Sequence, residues 1–175
     1  MYESPNNWSE FCSIQAYYSI AGRELEREII PLAQDQKLAI LPWSPLAGGF
    51  LSGKFTRDNE GSANDRRVKF DFPPVNKEKG YDIVDVMQEI ATAREVSVAQ
   101  VALAWLLHKP GVTSVIIGAK KMSQLQDNLK SVEIEFTEDE MTQLDEVSQL
   151  TPEYPNWLNA SPSDRMPGQK GWTDM

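Results

Sequence analysis

SVAQVALAWLLHKPGVTSVIIG, residues 97–118, holds a helix start, an apolar helical face, a stop and a second apolar run in close succession. Ser97 followed by Gln100 has the spacing of a capping box, and Val98, Val101, Ala102, Trp105 and Leu106 recur on one side of a helix. Pro110 and Gly111 end that helix. Residues 113–118 (TSVIIG) are β-branched and apolar, which predicts a strand buried on both faces.

The same alternation extends in both directions. Upstream, residues 11–16 (FCSIQA) read as a buried strand and residues 39–43 (AILPW) as another. Between them Leu25, Ile29, Leu32 and Ala33 have helical spacing, with Pro31 starting or kinking the turn. Residues 44–76, rich in Gly, Pro, Asp, Asn and Arg, carry no sustained period and read as a long excursion, of the kind that is functional or mobile. Ile83, Met87, Ile90 and Ala91 mark a helix before Ser97. Downstream, a helix covers 122–129, and Thr137 with Glu140 caps a last helix through Met141, Leu144 and Val147. The tail from 151 to 175 reads as irregular.

Buried strands alternating with amphipathic helices imply parallel strands joined by right-handed crossovers, here about three βα units in one domain over 1–175. The pattern does not separate an open doubly wound sheet from a segment of a barrel. In both, ligands sit at the C-terminal ends of the strands, here near Gln15, Trp43 and Gly118. A complete (β/α)8 barrel needs about 250 residues, and this chain has 175.

Composition excludes several classes. A net charge of −9 opposes a phosphate backbone or an anionic membrane, so no nucleic-acid or membrane partner is expected. The longest apolar run, 101–107, is far below the roughly 18 residues of a membrane span, and the N-terminus has no basic-then-apolar pattern. A soluble cytoplasmic protein is expected. With one cysteine, Cys12, neither an intrachain disulfide nor a cysteine metal cage can form.

Residues 48–54 (GGFLSGK) imitate a phosphate-binding P-loop, but Phe55 stands where Ser or Thr would hold magnesium and no helix is expected to follow. His108 sits at a helix end leading into a strand, where an imidazole complements the helix dipole rather than acting as a base. Asp58, Glu60 and Asp65 lack the spacing of a calcium loop and read as a solvated loop, with interspersed arginines available to neutralise them. Glu138, Asp139 and Glu140 suit the first turn of a helix. No metal site is expected.

Gln15-Ala16-Tyr17-Tyr18-Ser19, Trp43-Ser44-Pro45-Leu46-Ala47-Gly48-Gly49, Gly53-Lys54, Val101-Ala102-Leu103-Ala104-Trp105, Ile116-Ile117-Gly118-Ala119-Lys120 and Gln124-Leu125-Gln126-Asp127-Asn128-Leu129 recur in a characteristic order. In that order, from about Phe11 to Trp157, the chain resembles the C-terminal part of an aldo/keto reductase, strands six to eight of its barrel. The resemblance implies an α/β fold, a partial (β/α)8 TIM barrel with a C-terminal helix and irregular tail.

It also implies roles. Gln15 would bond the nicotinamide carboxamide and Trp43 would stack on the nicotinamide ring. Ser44, Pro45, Leu46, Gly48 and Lys54 would close over the pyrophosphate. Gly118, Lys120, Gln124, Asp127 and Asn128 would hold the adenosine 2′-phosphate and adenine, the last three from one helical face. A helix start beside Lys120 and Lys121 suits a phosphate, so NADP(H) is the cofactor implied. Many relatives carry arginine at Lys120 or Gln124, and its loss removes a bidentate grip. The family's catalytic Asp, Tyr, Lys and His match nothing here, and Tyr17, Tyr18, Asp82 and His108 are not substitutes. The expected partners are a small carbonyl substrate, once a complementing segment is present, and another copy of the chain through open sheet edges.

Overall fold

The computed structural model describes residues 9–63 and 65–154. Two parallel strands, β1 (Ser13–Tyr17) and β2 (Ala39–Trp43), form the sheet, with Gln15 opposite Leu41 and Tyr17 opposite Trp43. Their connection is a 3-10 turn, Glu24–Glu26, and a short helix, α1 (Ile29–Asp35). Pro31 falls in the first turn of α1, where its missing N–H breaks no intrahelical bond.

The excursion after β2 contains a 3-10 segment, Ala47–Ser52, and one helical turn, α2 (Arg66–Lys69). Then come α3 (Lys77–Arg94), α4 (Val98–Leu107), α5 (Met122–Leu129) and α6 (Glu138–Ser148). Side chains cap three of these starts: Asn76 accepts from Lys79 N–H, Ser97 from Gln100 N–H, and Thr137 from Glu140 N–H. At α6 the box is reciprocal, because Glu140 accepts from Thr137 N–H at 2.7 Å. At α4 it is half a box. Gln100 turns its amide to Asp127 on α5 instead, so this side chain ties two helices together.

The strand expected over 113–118 is not one. Ile40 N–H donates to Gly111 O and Thr113 N–H to Ile40 O, which starts a parallel ladder beside β2. Ile40 and Val112 make an isolated bridge. The next donor on that edge of β2 would be residue 42, and Pro42 has no N–H. The ladder lapses there, and the next bond, Ile116 N–H to Pro42 O, falls out of step. Nor is this run buried on both faces: Thr113, Ser114, Ile116 and Gly118 are exposed.

The core lies between the sheet and the helices. Trp105, Met87, Leu106 and Leu144 are fully enclosed where α3 packs on α4 and α6. α3 and α4 are bent by 100° at their junction, and no single helix among the described residues is long and apolar enough to cross a membrane. Asp145 on α6 accepts from Trp105 Nε1 (3.0 Å), Arg23 Nη1 (3.2 Å) and Lys109 Nζ (2.5 Å). Arg23 also forks onto Glu26, with both contacts at 2.8 Å, so Arg23 and Lys109, from two connections, share Asp145 and Arg23 takes Glu26 as well.

Residues 151–153 have no regular structure and Tyr154 lies in a turn. Trp157, Trp172 and the rest of the expected irregular tail lie outside the described residues.

Candidate functional site

The C-terminal ends of β1, β2 and the 111–118 run lie side by side, through the β1–β2 register and the bond from Ile116 to Pro42. Gln15 is exposed on β1, two residues before its end. Trp43 closes β2, half-buried, with the Tyr17 ring tilted against it at 5.2 Å and the Phe72 ring stacked parallel at 5.9 Å.

The loop after Trp43 is wound tightly on the left-handed side. Ser44 (φ 52°) and Ala47 (φ 47°) take positive φ despite carrying a Cβ, and Gly48 (φ 66°) and Gly49 (φ 100°) continue the coil. Internal bonds hold it: Ala47 N–H donates to Ser44 O (2.8 Å), Gly49 N–H to Leu46 O (2.8 Å), and Gly48 N–H to Ser44 Oγ (3.1 Å). Pro45 is buried and Leu46 half-buried beneath it. Gly48 has to be glycine: a Cβ there would lie 2.5 Å from Phe72 O. At Gly49 and Gly118 a Cβ would meet nothing within 4 Å, so these backbone surfaces are open.

Three cations stand at this end of a chain that is otherwise strongly acidic. Lys54 is exposed and reaches Asp65 at 3.5 Å. Asp65 also accepts from Ser62 N–H and Oγ, which lower its pKa, and the neighbouring Lys54 adds to the effect. Lys120 and Lys121 are exposed, but their backbone N–H groups are engaged: Gln124 Oε1 accepts from both, at 3.0 and 3.2 Å.

The residues expected on one face of α5 divide. Gln124 is exposed, Asn128 is buried, and Asp127 accepts from Ser97 Oγ and Gln100 Nε2, both at 2.6 Å. These two partners of Asp127 were not legible as functional neighbours. The spacing of α5 shows its own face but not what lies opposite it. A cleft of ≈ 470 Å³ adjoins Asp127, walled by Ser97, Gln100, Arg94 and Lys130.

Arg67 is the other residue the sequence hid. It is buried in the excursion, donating through Nη1 to Ala47 O (2.7 Å) and Pro73 O (3.0 Å) and pairing with Asp71 (2.7 Å). It therefore bolts the excursion to the left-handed loop. The arginines do not neutralise Asp58 and Glu60 as expected: Arg57 turns to Glu78, Asp82 and Asp85 on α3.

Candidate acids and bases are otherwise engaged. Burial raises the Tyr17 and Tyr18 pKa values, and Tyr18 also donates to Glu26 at 2.6 Å, so neither is poised to give up a proton. His108 Nδ1 lies 2.8 Å from Ala104 O at the end of α4, as its position predicts. Among the described residues, no group of three or more His, Cys, Asp or Glu side chains is placed to hold a metal ion. What remains is an aromatic ring, a left-handed loop with open glycine backbone, and flanking lysines. That donor set fits a planar ring joined to phosphates.

Known proteins match most of the chain. It is similar to versiconal hemiacetal acetate reductase of Aspergillus parasiticus, 32% identical over 81% of this chain and 41% of that protein. It is also similar to an uncharacterized oxidoreductase of Bacillus subtilis, 35% identical over 76% of this chain and 39% of that protein. The NADH-specific methylglyoxal reductase of Escherichia coli is 30% identical over 81% of this chain and 43% of its own length. The chain thus spans about two fifths of the length of these curated relatives. The model of the aldo/keto reductase family matches residues 4–149, and with that match over most of its length the chain belongs to the aldo/keto reductase family.

Proposed function

We propose that this chain is the C-terminal, NADP(H)-binding part of an aldo/keto reductase that interconverts aldehydes or ketones with alcohols. In this reading it is a partial (β/α)8 barrel that further strands complete, pairing with β1 at one edge and with the 111–118 run at the other. The observation that carries the reading is Trp43 at the end of β2, directly followed by the left-handed 44–49 loop and, beyond it, Lys54. A flat ring beside Trp43 leaves its attached phosphates over this loop, whose open backbone is at Gly49, while Gly48 packs on Phe72 O.

When bound, the dinucleotide supplies the hydride. This chain's residues hold and orient it: Gln15 at the carboxamide, Trp43 on the ring, and Ser44, Pro45, Leu46, Gly48 and Lys54 around the pyrophosphate. Gly118, Lys120, Gln124, Asp127 and Asn128 take the adenosine end. Asp127 is already fixed by Ser97 and Gln100, so its carboxylate is oriented before any ligand arrives. Lys120 and Lys121 favour the extra phosphate of NADPH over NADH by charge. Proton donation to the carbonyl oxygen falls to the family's catalytic residues, which match no position here.

Titration of NADPH into the purified chain, followed by tryptophan fluorescence with NADH as control, tests this. Saturable NADPH-selective quenching, lost in Trp43→Ala and weakened in Lys120→Ala, is the expected result. Quenching that survives Trp43→Ala would remove the ring site from β2.

A further inference from the structure

A cavity of ≈ 200 Å³ opens between the excursion and α3, and none of its wall residues belongs to the nucleotide site proposed above. Its floor is aromatic and preformed. Phe50 stacks on Phe55 at 5.9 Å and tilts against Tyr81 at 5.4 Å, and all three rings are buried. Gly80 brings α3 down on Phe50, where an added Cβ would lie 2.7 Å from the ring. A cavity of about 150 Å³ takes benzene, so this one has room for a ring and a short head group.

Four charged side chains share the wall: Arg67, Lys77, Glu60 and Asp71. Arg67 is 6% exposed and lies 5.2 Å over the Phe50 ring. Its Nη1 is engaged with Ala47 O and Pro73 O, and its Nη2 faces Asp71 at 2.7 Å. Its Nε–H has no partner among the described residues, where no side-chain nitrogen or oxygen is both fully enclosed and unbonded. Nε is therefore reachable, through the cavity that Arg67 lines. Lys77 and Glu60, at exposed positions, likewise have no ion-pair or hydrogen-bond partner among the described residues. A buried guanidinium with a spare donor, a free ammonium and a free carboxylate thus surround an aromatic floor. With Asp71 matched to Arg67, the wall carries no net charge.

We propose that this cavity binds an α-amino acid with an aromatic or branched apolar side chain. The side chain lies on Phe50, Phe55 and Tyr81. The carboxylate takes the Arg67 Nε–H and the Lys77 ammonium, and the α-ammonium takes Glu60. A simple carboxylate leaves Glu60 unmatched beside it, and a simple amine leaves the two cations unmatched. Unpaired charge of that kind rejects near analogues. Binding here needs nothing from Trp43.

The test is isothermal titration calorimetry of the full chain with L-phenylalanine, 3-phenylpropionate and 2-phenylethylamine. L-Phenylalanine should bind saturably, about fivefold or more tightly than either analogue, and equally well in Trp43→Ala. Glu60→Gln should remove its advantage over 3-phenylpropionate, and Lys77→Gln should reduce its advantage over 2-phenylethylamine. Both positions are exposed, so these changes spare the core, and Arg67 is left in place because it holds the 44–49 loop. Circular dichroism checks the fold of each variant. No saturable binding of L-phenylalanine overturns the proposal. So do equal affinities for the three compounds, which would mark an apolar crevice only, and a preference for L-phenylalanine that survives both Glu60→Gln and Lys77→Gln. Loss of binding in a folded Trp43→Ala chain also overturns it, by moving the amino acid to the end of β2.

Discussion

Trp105 and Trp43 are the same residue put to opposite uses. Trp105 has no exposed surface, its indole N–H is bonded to Asp145, Tyr18 packs on it at 5.6 Å, and Arg23 and Lys109 lie over its ring at 5.2 and 4.5 Å. Trp43 is half-buried among uncharged rings at the end of a strand. A tryptophan whose polar atom and both charged neighbours are mutually satisfied has nothing left to offer a ligand. One that is half-exposed between two uncharged rings, Tyr17 and Phe72, keeps surface that another flat ring can join.

Breaking the first environment has the largest expected effect. Trp105→Ala should cost about 3–5 kcal/mol, as a cavity opens at the α3–α4–α6 junction, and chemical denaturation reads it. Asp145→Ala should cost about 2 kcal/mol, because it strands the Trp105 N–H and leaves Arg23 and Lys109 facing each other. A smaller effect, confined to acid, is expected on the same side of the molecule. Arg94 donates to Glu140 from Nε at 2.6 Å and also from Nη2, and chiefly for that reason the Glu140 carboxyl is depressed from its ordinary 4.5 to about 2. A depressed carboxyl stabilises the fold fully above pH 4.5 and progressively less as pH falls toward 2. Glu140→Gln, which retains the helix cap, should flatten the acid side of the stability profile there and leave its shape above pH 6 unchanged. Trp43→Ala should be the mildest for folding, about 1–2 kcal/mol, yet abolish NADPH-dependent quenching. Equal destabilisation by Trp43→Ala and Trp105→Ala would erase the distinction between them.

Where local chemistry decides, the sequence was readable. The bounds 39–43 and 122–129 stand as read, and Thr137 with Glu140 announces α6 through a box of neighbours in sequence. The misses involve partners far apart in the chain. The apolar run at 113–117 has strand composition, but its ladder depends on Pro42 some seventy residues earlier. Gln100 has capping spacing, yet Asp127 takes its amide. Arg67 looked like one loop arginine among several, because nothing within a few residues reveals that it reaches back to Ala47. The site proposed at Gln15, Trp43 and the 44–54 loop comes from the order of their motifs. The stacking of Phe72 on Trp43 could not be read, since it joins residues about thirty positions apart.

Pro42 has a second consequence beyond interrupting one ladder. Alternate residues of β2 point their amides to opposite edges, and the edge away from β1 belongs to Ile40 and Pro42. If the weakly held 111–118 run peels away, that edge offers a newcomer the Ile40 donor and then a gap. A bare strand with an intact row of donors templates fibrils, and a proline at this place spoils the template. The residue that denies the molecule its third strand also blunts this edge of β2 as a template for cross-β growth.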